Sequence, residues 1–322
     1  MTIPKLTKRI DVDAVLQSAR DQSEKTLQIL RSVAVDVLGS DPDLIIGVNG
    51  SVARREVTAG SDVDLFVLTL SGDISSAKAA QTKYRERLST HDIKMPADGG
   101  VFQNPLRTTH LTATIGGEDD TNTYITRRML YLLEGEWVAN EDSFNRLRLE
   151  LVGRYVPDEI EEQKIVRFFL NDVIRYWRTI CVDFEYKTAD ATKPRAIRLV
   201  KLRLSRMLLY VAGIAAARET VGLSASEKRE KLAELLSLPP LERLTRIHGS
   251  VKMMPVEALY ATFLSAINDQ YIRSKLELPG IEGLSTPEFT DLSNVAREFK
   301  TALLALLDLD AGDDPLMEAL LL

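Results

Sequence analysis

The chain contains one cysteine, Cys181, among 322 residues. A single thiol excludes an internal disulfide framework and leaves no second thiolate for a metal site, so a reducing, intracellular setting is expected. Histidine is nearly as scarce: His91, His110 and His248 lie too far apart in sequence to suggest a metal motif. No apolar stretch approaches the roughly 20 uncharged residues that span a bilayer, and no basic flank leads into an apolar run near the start. Neither membrane insertion nor export is expected, and a cytoplasmic location is. An excess of positive charge is also missing. Lys and Arg number 41 against 47 Asp and Glu, for a formal net charge of -6, which argues against a general coat for nucleic acid.

What remains is 45% hydrophobic and 27% charged, the composition of a soluble globular chain long enough for two domains. The opening apolar spacing, Val12, Leu16, Leu27, Leu30, Val33, Val35 and Val37 with Gly39 as a stop, predicts one long helix or two short ones. "DLIIGV" and "VDLFVLTL" read as strands with a short helix between them. The stretch "SSAKAAQTKYRERL" reads as a polar helix capped by Ser75 or Ser76, after which "DIKM", and then "GGVF", can return to the sheet. "TYITRRMLYLLEG" predicts a helix ending near Gly135. A domain boundary is expected near Tyr155 and Pro157, giving a mixed domain over 1–155 and a helical one over 156–322. Helical patterns run through 161–187, 195–219, 225–238, 256–272 and 292–307, with Pro239, Pro240 and "LPGIEGLSTP" as loops. The expected class is α+β, a mixed sheet with helices followed by an all-α domain.

Chemistry concentrates in "VNGSVARREVTAGSDVDLFVL", residues 48–68. Asp62 and Asp64 stand at i and i+2, so on a strand both face one side while Val63 and Leu65 face the core. Two anions about 7 Å apart need solvent or a cation between them, and an oxygen-only set suits Mg²⁺. Upstream, Gly50 permits close backbone approach, and Ser51 offers a hydroxyl and an N–H at a helix start, where phosphate binds well. Carboxylates beside a phosphate cradle describe a site for a nucleoside triphosphate with Mg²⁺ or Mn²⁺.

This stretch resembles the signature of the DNA polymerase β-like nucleotidyltransferase superfamily, in which Gly followed by Gly or Ser precedes an Asp-hydrophobic-Asp strand by about ten residues. Ten residues separate Ser51 from Asp62 here. Within the superfamily it looks closest to the bacterial protein-PII uridylyltransferase group and the domain-of-unknown-function nucleotidyltransferases related to it, whose pattern Gly50, Ser51, Arg54, Glu56, Ser61, Asp62 and Asp64 match without a gap. The resemblance covers residues 40–135 well and the helical half loosely. It implies a third carboxylate on a later strand. Asp98 is the candidate, to hold metal and to orient or deprotonate the acceptor hydroxyl, with Asp92 as fallback. Glu118, Asp119 and Asp120 also qualify but read better as a solvated loop.

The resemblance further implies that the helical half lends Lys and Ser or Thr side chains to the triphosphate. Lys201 and Ser205 stand i and i+4 on one helix face, with Arg198 a turn earlier. On the preceding helix Arg175 and Arg178 are read as ion-pair partners for nearby acids, and Trp177 and Phe169 as core. The implied reaction moves a nucleoside monophosphate from an NTP to an acceptor hydroxyl and releases pyrophosphate. The acidic total favours a protein or small-molecule acceptor. A toxin-like transferase acting on tRNA and a non-catalytic nucleotide-binding regulatory module are the alternatives.

Overall fold

A computed structural model describes residues 10–39, 41–91, 93–95 and 103–308, together with Leu316 and Ala319. The order of elements is α1 (Val12–Leu38), β1 (Leu44–Asn49), α2 (Gly50–Ala53), β2 (Asp64–Thr69), α3 (Ile74–Leu88), β3 (Leu106–Arg107), α4 (Thr109–Thr112), α5 (Asn122–Glu134), β4 (Glu136–Ala139) and α6 (Glu141–Tyr155). Helices follow: α7 (Arg167–Thr188), α8 (Arg195–Lys201), a π turn over Leu202–Arg206, α9 (Met207–Arg218), α10 (Ala225–Ser237), α11 (Pro240–His248), α12 (Ser250–Asn268), α13 (Gln270–Leu276) and α14 (Pro287–Leu307). The architecture is mixed α+β, with helices predominating.

The sheet runs β3–β2–β1–β4, antiparallel except where β3 pairs parallel with β2. It is apolar on both faces. Leu44, Ile46, Val48, Leu65 and Val67 pack on one side against Leu27, Leu30 and Val33 of α1 and Tyr84 and Leu88 of α3. Ile45, Phe66 and Leu68 face the other side and join a second core with α5 and α6 that continues through α7 to α14. One buried cluster therefore runs across the expected boundary at Tyr155.

The parity of β2 matters for the site. Asp64 shares its side of the strand with Phe66 and Leu68, the side that the helical half covers. Position 64 begins the strand and is its exposed residue, at the edge of that contact.

Several boundaries differ from the sequence reading. Asp73, not Ser75 or Ser76, caps α3, its carboxylate accepting both serine N–H groups. Residues 93–95 form no strand, although Lys94 O accepts the Val63 N–H at 3.0 Å, and the described return to the sheet is β3. Pro240 is not in a loop but opens α11, where a missing N–H costs nothing. α12 begins six residues before Val256, passing through Pro255, and Asp269 divides the expected 256–272 run by capping α13. Among the described residues no helix is long and apolar enough to cross a membrane.

Candidate functional site

The turn after β1 is built by Gly50, which takes φ +72, a left-handed conformation that side chains resist. It also leaves space for the Asp64 carboxylate, since Asn49 and Asp64 are paired across the β1–β2 ladder. Asp62 lies in the loop just before β2 rather than on the strand, yet both aspartates line one cavity with Gly50, Ser51, Lys201 and Arg206. The expected pairing of the two carboxylates on one side thus holds through the loop, not through strand alternation. The cavity measures about 100 Å³. Small-molecule sites usually run to about 300–1,000 Å³, so this one has room only for the charged end of a ligand.

Neither aspartate's carboxylate forms a hydrogen bond or ion pair with a described residue. Enclosure by protein and the neighbouring Asp62 charge push the Asp64 carboxyl above its ordinary range, against the pull of Arg206 and Arg54. Carboxylate oxygens with no ion-pair partner fit a hard divalent cation. Among the described residues no third His, Cys, Asp or Glu completes a metal cluster. Asp98 and Asp92 lie outside the described residues. Of the other carboxylates weighed for that role, Glu118 and Asp119 are exposed. Asp120 is a correction: it is buried, held by Arg128 at 2.8 Å and Arg175 at 2.9 Å, and is committed to packing α5 on α7.

Beneath the turn lies Glu134, the last residue of α5, which sequence reasoning missed. Its fully buried carboxylate accepts the Gly50 N–H at 3.0 Å, pairs with Arg54, and accepts from Arg206 at 3.2 and 3.3 Å. Burial alone would raise its pKa, but Arg54 and Arg206 outweigh that and hold it at about 2. The Gly50 N–H is therefore spent on Glu134 and unavailable to a phosphate. Ser51 keeps that capacity, since its hydroxyl makes no hydrogen bond with any described residue.

Arg54 and Glu56 form the brace of this turn. Arg54 Nε donates to Glu56 at 2.9 Å, and the Tyr260 hydroxyl donates to the other Glu56 oxygen. The Ser205 hydroxyl lies 3.3 Å from Glu56 and 3.1 Å from the Tyr260 hydroxyl, completing the cluster. Ser205 thus lines the cavity as expected, but its hydroxyl is engaged in the brace. Tyr260 sits on α12, almost two hundred residues from the motif, where no local pattern sets it apart from other core aromatics.

Lys201 lines the cavity without an ion-pair partner among the described residues. Surrounding protein lowers its pKa, as do Arg273, Arg54 and Arg206, while Asp62 opposes the shift. Arg198 is exposed and stands off the cavity lining. Arg175 pairs with Asp172 and Asp120. Phe169 is core, and the half-buried Trp177 stacks on Tyr210 with centroids 5.1 Å apart.

The loop that carries Asp62 is held from the helical half. Asn268 accepts the Ala59 N–H at 2.9 Å, and Arg273 donates to Gly60 O at 3.0 Å.

A larger cavity of about 940 Å³ lies behind the brace, between α1 and α11–α12. The acids that face it there include Glu242, paired with Arg20, and Glu56, paired with Arg54. The smaller cavity gathers both motif aspartates with Lys201 and Arg206, and chemistry rather than size selects it.

No protein-family model matches the chain, and no curated protein matches it significantly.

Proposed function

We propose that this protein is a metal-dependent nucleotidyltransferase of the DNA polymerase β-like type, moving a nucleoside monophosphate from an NTP to an acceptor hydroxyl. The observation that carries this reading is that Asp62 and Asp64 share one cavity with Lys201 and Arg206, with neither carboxylate in an ion pair with a described residue. The turn that shapes this cavity is fixed by Gly50 and the Arg54–Glu56 brace, so the carboxylates are preorganised rather than merely solvated. The sheet, with β1 and β2 antiparallel and β3 parallel to β2, is compatible with that fold.

Asp62 and Asp64 would hold Mg²⁺ or Mn²⁺, which when bound would screen phosphate charge and acidify the acceptor hydroxyl. Ser51 donates its free hydroxyl to a phosphate oxygen. Lys201 meets the phosphate charge from the opposite wall. The acceptor oxygen attacks the α-phosphorus, the bond from that phosphorus to the bridging oxygen breaks, and pyrophosphate departs. Asp98 is the proposed recipient of the acceptor proton. The 100 Å³ cavity takes the phosphates and leaves nucleoside and acceptor outside it. The net charge of -6 favours a protein or small-molecule acceptor over tRNA.

The test is incubation of the protein with each α-labelled NTP, Mg²⁺ or Mn²⁺, and cell lysate or total RNA as acceptor. Label should move to an acceptor, and Asp62→Asn with Asp64→Asn should abolish the transfer. Nucleotide binding without transfer to any acceptor would sink the transferase and leave a nucleotide-binding regulatory module. Label on RNA alone would move the acceptor class to tRNA.

A further inference from the structure

The helix after Lys201 does not keep α-helical spacing. Between α8 and α9 the residues Leu202–Arg206 form a π turn within a continuous helix. In an α-helix of 3.6 residues per turn, positions five apart point about 140° away from each other. A π turn closes i→i+5 bonds and brings such positions to one side. Lys201 and Arg206 are five apart, and both line the cavity that holds Asp62 and Asp64. On an unbroken α-helix Arg206 would start about 140° around the axis from Lys201.

Two further features prepare Arg206. Its Nη1 donates to both oxygens of the buried Glu134, at 3.2 and 3.3 Å. Tyr176 of α7, fully buried, hydrogen-bonds the same guanidinium. These contacts leave part of its five-donor fork uncommitted, and the side chain is still 31% exposed. Ser205, the i+4 neighbour that the sequence favoured, has its hydroxyl turned into the Glu56–Tyr260 brace instead.

We propose that Arg206 and Lys201 form a two-cation clamp for the phosphates of the nucleotide, set by the π turn, with Glu134 and Tyr176 as positioning residues that aim Arg206. This assignment rests on the nucleotidyltransferase reading and names the residues that take the phosphate charge. Arg206 supplies the directional fork and Lys201 the mobile point charge. Glu134 anchors the guanidinium on its buried side.

The probe is inorganic tripolyphosphate, titrated calorimetrically into the full chain, so that the readout does not depend on turnover or on the acceptor. Arg206→Ala and Lys201→Ala are each expected to weaken binding about tenfold or more. Arg206→Lys keeps the charge without the fork and should lose several-fold, which serves as the deciding variant if Arg206→Ala does not fold. Glu134→Gln should weaken binding as well. Arg198→Ala removes the same charge from the same helix but off the cavity, and should stay within about twofold. Wild-type binding that survives both Arg206 variants, or that falls equally in Arg198→Ala, overturns the clamp alone. No binding of tripolyphosphate by the wild-type chain, with or without Mg²⁺, overturns both the clamp and the reading beneath it.

Discussion

Gly50 and Asp64 occupy the same space. A Cβ built on Gly50 would stand 2.3 Å from Oδ2 of Asp64, and the position has φ +72. Gly50→Ala therefore meets backbone strain and a displaced carboxylate together. It should destabilise the fold by about 1–3 kcal/mol in urea titration. Mn²⁺ affinity, followed by water-proton relaxation, should fall as Asp64 swings aside. An alanine variant with wild-type Mn²⁺ affinity would contradict this placement of Asp64.

Glu134 offers a pH-linked prediction. Its pKa is about 2 in the folded chain, against an ordinary 4.5. The depressed value makes its charged form stabilising above the unfolded pKa, with that stability lost as pH falls through about 4.5 towards 2. Replacing it also leaves the buried Arg54 and the partly exposed Arg206 without this anion, so Glu134→Gln should cost about 3–5 kcal/mol at pH 7. The gap between wild type and variant in denaturant should narrow as the buffer is taken to pH 3. A gap independent of pH would mean that Glu134 is neutral in the fold.

In Tyr260→Phe the ring is kept between Phe263 and Phe299 and only the hydroxyl bonded to Glu56 and Ser205 is removed. Glu56 then loses a donor in a buried setting, at a cost of about 1–3 kcal/mol. The double variant with Ser205→Ala should cost less than the sum, because both hydroxyls serve one carboxylate. Strict additivity in the denaturation cycle would show that they act separately.

How much of this was legible in the sequence follows the range of the interactions. The β1–turn–β2 unit, with Asp62, Asp64, Gly50 and Ser51, is local, and alternation plus a turn signal exposes it. The Arg54–Glu56 pair also lies within that unit. Glu134 and Tyr260 act across 80 and 204 positions of chain, where periodicity carries no information. Arg206 was hidden for a different reason: a π turn breaks the 3.6-residue rule that put Ser205, not Arg206, beside Lys201. The Asp120 misreading has the same origin as the missed Glu134. Its partners Arg128 and Arg175 come from two helices, so an acid in a polar loop sequence is buried in the fold. α12 starts earlier than the expected 256 and contains Pro255, since a proline early in a helix is tolerated when the carbonyl it leaves unpaired is that of the exposed Val251.

The loop bearing Asp62 separates positioning from stability. Asn268 and Arg273 hold its backbone from α12 and α13 through one hydrogen bond each, to Ala59 N–H and Gly60 O. Both contacts lie near the surface, so losing them in an Asn268→Ala, Arg273→Ala variant should cost only about 1 kcal/mol of stability. The loop then opens more often, and hydrogen exchange at the Ala59 amide should quicken by about tenfold or less. Asp62 loses its fixed distance from Asp64, so Mn²⁺ affinity should drop by more than the small stability loss accounts for. This is the opposite balance from Glu134→Gln, which removes stability first. Unchanged Mn²⁺ affinity alongside faster Ala59 exchange would show that the helical half steadies the loop without placing the carboxylate.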